Sequence, residues 1–220
     1  MIKCCIFDLD GTLLYTLETI RFYLNKALEK YSLTPITREE CQSFVGNGVR
    51  SLIRSALDSR GINSPEIFER VLSDYSKAYD NEPYHLTQKY RGIDYLLSEL
   101  KNSGIKLAVL SNKPDFATKR TIERFFPDTF DLVFGGRENV ALKPSPDGCF
   151  EILSELGFSA NECAYIGDSD VDVITGKNMN AAVNISVSWG YRTSEELVSV
   201  GATNIVSTAE EILKTIQKTI

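Results

Sequence analysis

The chain has 220 residues, 43% of them hydrophobic and 25% charged, with a formal net charge of −6. These proportions suit one globular domain, or a core with a modest insert, and exclude a disordered chain. The acidic balance argues against a broad nucleic-acid surface, and no stretch reaches the ~18 apolar residues of a membrane span. In chain order, residues 2–7 are a short apolar run stopped by Asp8-Leu9-Asp10-Gly11, the pattern of a buried strand ending in a turn. Comparable runs recur at Lys106–Leu110, Leu132–Phe134, Cys163–Ile166 and Val183–Val187, with a weaker one at Asn204–Val206. Between them lie helical patterns near 92–103, 115–126, 147–157 and 170–179. Thr193 with Glu196, and Thr208 with Glu211, have the spacing of capping boxes. Strands alternating with helices of this length predict a parallel sheet covered on both faces.

Residues 16–85 break the alternation. Ile20, Leu24, Leu28 and Tyr31 recur at helical spacing, and Thr37 with Glu40 forms another capping box. Val49, Leu52, Ile53, Ala56 and Leu57 make an amphipathic helix, and Ser64-Pro65 opens one that runs to about Tyr79. The expected fold is therefore α/β. A doubly wound, Rossmann-like core spans residues 1–15 and 86–220, interrupted by an all-helical insert over 16–85.

Four short motifs each follow a predicted strand: Asp8-Leu9-Asp10-Gly11-Thr12, Ser111-Asn112-Lys113, Leu142-Lys143-Pro144, and Gly167-Asp168-Ser169-Asp170-Val171-Asp172. Singly, each reads as a solvated turn, a helix cap or a loop lysine. In this order behind strands they converge, because ligands of open parallel sheets bind beyond the carboxyl ends of the strands. Asp8 and Asp168 are hard oxygen donors, and few protein ligands suit Mg²⁺, which keeps waters and shares phosphate oxygens. Asp8 can also act as a carboxylate nucleophile and form an aspartyl-phosphate. Lys143 and the Ser111 hydroxyl, with nearby backbone N–H groups, would stabilise the phosphoryl group. Gly11, Thr12 and Asn112, in the same turns, are expected to bind substrate. Asp10 is placed to protonate the leaving group and then to deprotonate water.

Counting removes other chemistries. The one histidine, His85, cannot build a multi-histidine site. The five cysteines include no C-x-x-C pair and none with an arginine six residues on, so they read as reduced core thiols. Asp8 and Asp10 arrive before any apolar leader region. A cytoplasmic enzyme is expected, with no nucleic-acid or membrane partner; the charge decides nothing about oligomeric state.

The four segments together resemble the haloacid dehalogenase superfamily of phosphatases over nearly the whole chain. The helical insert after the first motif is similar to that superfamily's small helical cap. Val45-Gly46-Asn47-Gly48-Val49-Arg50, and Trp189-Gly190-Tyr191-Arg192 with Glu195-Glu196-Leu197, resemble its phosphoglycolate phosphatase group. The resemblance implies Asp8 as nucleophile, Asp10 as acid and base, and Mg²⁺ held by Asp8, the Asp10 carbonyl and Asp168. It further implies Ser111 and Lys143 as phosphate ligands, Asp172 in a supporting acidic position, and Gly48 on a cap loop facing substrate. A small phosphomonoester, 2-phosphoglycolate foremost, is the implied substrate. A sugar-phosphate mutase, pyrophosphatase or nucleotidase on the same core, and a non-catalytic binding module, are the alternatives. Two departures stand out: Tyr15-Thr16 replaces the group's D-S or D-T pair, and Tyr90-Arg91-Gly92 lacks its proline. Arg50 and Arg54, on adjacent turns of one helix, read either as a solvated face or as recognition of an anionic leaving group. Arg50 is carried as a candidate substrate ligand.

Overall fold

The computed structural model describes residues 1–218. Six parallel strands form one sheet in the order β5-β4-β1-β6-β7-β8. They are β1 (Cys4–Phe7), β4 (Lys106–Pro114), β5 (Leu132–Gly136), β6 (Cys163–Gly167), β7 (Val183–Val187) and β8 (Asn204–Val206). The central strand shows why the pattern is continuous rather than alternating. All four residues of β1 are buried, because successive side chains enter two different cores. Cys5 and Phe7 pack with α5 (Ile93–Asn102) and α10 (Ala209–Gln217) on one face. Cys4 and Ile6 meet α7 (Asp147–Leu156) and Tyr165 on the other.

The chain moves outward from β1 through β4 to β5, then returns to the far side of β1 for β6, β7 and β8. That reversal opens a crevice at the carboxyl ends of β1, β4 and β6. The capping boxes expected at Thr37, Thr193 and Thr208 all form, each with its glutamate accepting from the cap backbone.

Residues 17–81 build a second, helical layer. It comprises α1 (Leu17–Glu29), α2 (Arg38–Phe44), α3 (Val49–Asp58) and α4 (Pro65–Asn81). Their apolar faces share a core of their own, including Leu24, Leu28, Ile53, Leu57 and Val71. Entry and exit run through a ribbon absent from the sequence reading: β2 (Leu14–Tyr15) pairs antiparallel with β3 (Gln88–Lys89). Tyr15, at the first departure from the group's pattern, sits in this ribbon. Its ring lies edge-on to Tyr90, the first residue of the second departure, with centroids 6.2 Å apart.

Candidate active site

Asp8 directly follows β1, with its N–H held by the Ile166 carbonyl at 2.8 Å. Asp168 directly follows β6, and Asp172 lies one turn into α8 (Asp170–Asn178). Lys143 reaches the same point from the loop after β5. Its Nζ is 2.8 Å from Asp8 Oδ1 and 2.7 Å from Asp172 Oδ1, with all three side chains nearly fully buried. Three carboxylates around one ammonium leave the cluster short of positive charge. Burial, then the Asp172 charge, push the Asp8 carboxyl well above its ordinary range against the pull of Lys143. The same two causes raise Asp168 to about 7. Asp172 goes the other way: Lys143, with hydrogen bonds from Lys143, Ser169 and Tyr165, outweighs burial and holds it low. The same ion pairs overcome burial of Lys143 and keep it charged.

The donor set fits a hard divalent cation. Oxygens of Asp8, Asp168 and Asp172 lie within 4.8 Å of one another. Asp172 is already committed, since Oδ1 accepts from Lys143 and Tyr165, and Oδ2 from Ser169 Oγ and the N–H groups of Asp168 and Ser169. Asp8 and Asp168 remain as the carboxylates able to take a cation.

Asp168 is gripped from both sides. Thr12 Oγ1 donates to Oδ1 at 3.0 Å and the Tyr191 N–H to Oδ2 at 2.8 Å. Gly11, at φ +92°, lies so close that an added Cβ would sit 2.3 Å from Asp168 Oδ2. These contacts revise two expectations. Gly11 and Thr12 do not line the cavity; they shape the bed of Asp168. Asn112 lines it, but its amide is saturated. Oδ1 accepts from the Lys143 N–H at 2.8 Å, and Nδ2 donates to the Lys143 and Gly46 carbonyls, each at 2.9 Å. Its side chain positions the lysine and the loop beneath α3 and has no donor left for substrate.

Ser111, buried at the end of β4, borders the same cavity together with Asp8, Asp10, Lys143 and Asp168. Gly48, at φ +83° and next to the Asn112 carbonyl, does so from the helical layer. Arg50 is not brought there. It is exposed, ion-paired with Glu69 at 2.7 Å and, like Arg54, lies over the Phe68 ring. Arg54 is half-buried beside it on the same ring, and neither arginine lines the cavity.

Other cavity residues have no role assigned from the sequence. Lys113 Nζ is 3.0 Å from Asp10 Oδ1 and donates to the Tyr79 hydroxyl of α4. Tyr75, Ser76 and Asp80 of the same helix also line the wall. Arg192 donates to Asp170 and to the Gln42 and Val45 carbonyls, tying the strand ends to α2. Tyr191 packs in the helical core and shares a hydroxyl hydrogen bond with Thr16 Oγ1 at 2.9 Å. The cavity has a volume of about 80 Å³.

Residues 5–185 match the family model described as haloacid dehalogenase-like hydrolase. A phosphoglycolate phosphatase of Aquifex aeolicus is 31% identical over 190 residues, covering 86% of each chain. One of Rhodospirillum rubrum is 31% identical over 208 residues, covering 92% of this chain and 86% of the other. A crystal structure from Lactobacillus delbrueckii subsp. bulgaricus, provisionally described as a phosphoglycolate phosphatase, superposes with a TM-score of 0.89. It is 33% identical, covering 97% of this chain and 98% of that one.

Proposed function

Since this chain belongs to the haloacid dehalogenase-like hydrolases, we propose that it is a Mg²⁺-dependent phosphatase of a small metabolite, acting through an aspartyl-phosphate on Asp8. That it hydrolyses phosphoric monoesters follows from the family and from relatives that span most of its length. The observation that carries the mechanism is Lys143, clamped between Asp8 and Asp172 in the buried wall of a small cavity.

Lys143 holds Asp8 Oδ1, leaving Oδ2 to attack phosphorus while the ester oxygen departs. Ser111 and Lys143 donate to the phosphoryl oxygens. Asp10 gives its proton to the leaving oxygen, then takes one from the water that attacks the aspartyl-phosphate; phosphate leaves and the Asp8 carboxylate is restored. Mg²⁺, held by Asp8, Asp168 and the Asp10 carbonyl, would supply the positive charge that balances phosphate against the buried carboxylates. The helical layer over residues 16–85 would act as a cap, excluding water during transfer.

The similarity to phosphoglycolate phosphatases and the small cavity support 2-phosphoglycolate as substrate. Among the described residues no helix is long and apolar enough to cross a membrane. Five buried free thiols suit the reducing cytoplasm. The test is phosphate release, with Mg²⁺ and with EDTA, across 2-phosphoglycolate, pyrophosphate, sugar phosphates, nucleotides and an aryl phosphate. EDTA-sensitive release selective for 2-phosphoglycolate is expected. Release from another metabolite overturns the substrate, and an isomerised sugar phosphate without free phosphate overturns hydrolysis.

A further inference from the structure

The wall facing the phosphate end comes largely from α3 and α4, and most of it cannot answer an anion. The side chains of Val49 and Leu52 of α3 offer only hydrocarbon. Among the described residues lining the cavity, three are cationic, and two are engaged away from the leaving group. Lys143 lies between Asp8 and Asp172, and Arg192 is bonded through Nε, Nη1 and Nη2 to Asp170, Gln42 and Val45. Lys113 is the third.

Its position is specific. Nζ lies 3.0 Å and 3.3 Å from the two oxygens of Asp10, the residue assigned to the leaving oxygen. It also donates to the Tyr79 hydroxyl and lies 4.7 Å from the centre of that ring. An ammonium has three hydrogens, and Asp10 with Tyr79 occupies two directions. Tyr79 accepts from Lys113, which leaves its own O–H to donate. Burial, and then the nearby Asp10 charge, push the Tyr79 phenol well above its ordinary range, so it stays protonated. Tyr79 is held in place by stacking on Tyr75, with centroids 5.2 Å apart. Asp80 borders the same cavity, where burial raises its carboxyl against the pull of Arg120 and Lys113.

In 2-phosphoglycolate the carboxyl carbon is two bonds from the ester oxygen. A molecule whose ester oxygen meets Asp10 therefore carries its carboxylate beside the donors that flank Asp10. We propose that Lys113 and Tyr79 form the subsite that binds a carboxylate on the leaving group, selecting 2-phosphoglycolate from phosphomonoesters of equal length that lack one. This rests on the phosphatase reading of the site above. It makes Lys113, on β4, and Tyr79, on α4, joint specificity residues contributed by different layers.

The experiment compares kcat/KM for 2-phosphoglycolate with kcat/KM for ethyl phosphate, in the wild type and in Tyr79→Phe and Lys113→Met. Taking the ratio cancels any shared effect on Asp10 or on cap closure. Hydrogen bonds to a charged group correspond to a fall in the ratio of about 10–100-fold in each variant. Thermal melting identifies a variant that fails to fold. Tyr79→Phe removes one oxygen from a buried ring and carries the test if Lys113→Met unfolds. An unchanged ratio, in an enzyme that prefers 2-phosphoglycolate, overturns the subsite and leaves the substrate reading standing. A wild type that cleaves ethyl phosphate as well as 2-phosphoglycolate overturns both, while the phosphatase chemistry survives.

Discussion

The two ends of the cavity are built differently. At the phosphate end, Asp8, Lys143, Asp168 and Asp172 sit within one buried cluster, the three aspartates fixed by the end of a strand or the start of a helix and the lysine by a loop tied to Asn112. At the other end, Tyr75, Ser76, Tyr79, Val49 and Leu52 come from helices that share no strand with the sheet. Charge is concentrated where every substrate of the class is alike, and shape and polarity vary where substrates differ. Stability and chemistry are therefore opposed at the first end and nearly independent at the second.

The sharpest break is Asp8→Asn. Loss of a covalent nucleophile should lower kcat by about 10³-fold or more. Because the folded protein favours the neutral form of Asp8, the same variant should melt higher than the wild type in EDTA. Residual turnover near the wild-type rate would remove Asp8 from the mechanism. Lys143→Met should also abolish turnover but with the opposite sign in stability. It strands two carboxylates, and breaking a buried pair costs about 3–5 kcal/mol. Denaturant titration of both variants reads the contrast directly.

A smaller effect is the pH dependence of cation binding. Folding raises the Asp168 carboxyl from its ordinary 3.8 to about 7. The metal-free folded state therefore binds the extra proton in that interval, so its stability from this group is lost as pH rises through about 7. A cation must displace that proton. Stabilisation by Mg²⁺ in a thermal-shift titration should strengthen as pH rises, by up to about tenfold in affinity per pH unit for each proton displaced. A flat profile between pH 6 and 8 would remove Asp168 from the ligand set. Least of all, Arg50→Ala should change kcat/KM by less than about twofold, because exposed pairs contribute little. A tenfold loss would place this arginine on the substrate after all.

The phosphate end was legible because its residues stand next to strand ends, where a motif in the sequence and a place in the fold are the same thing. Asp8 and Asp168 could be named from a run of apolar residues stopped by acids. Their supports were less legible. Thr12 and Asn112 sit in the motifs but turn inward to Asp168 and Lys143, a direction that no spacing encodes. The helical end was the hardest to read. Tyr75 and Tyr79 have the period of an apolar helix face and serve that role in the helical core as well. Their approach to Lys113, whose side chain meets Tyr79 across 34 positions of sequence, depends on how two layers pack. The ribbon of β2 and β3 is two residues long on each side, too short for any periodicity.

That ribbon has a consequence for descent. Leu14 pairs with Lys89 and Tyr15 with Gln88, so the chain leaves the sheet and returns to it through neighbouring residues. Whatever lies between begins and ends at one point, and the sheet experiences the same closure whether the excursion is long or short. Each doubling of a flexible loop adds only about 0.6 kcal/mol of closure entropy. A lineage can therefore lengthen, trim or exchange the whole helical passage as a cassette while inheriting the catalytic strand ends unaltered. New substrates are then reached by splicing at one hairpin rather than by rebuilding a reaction.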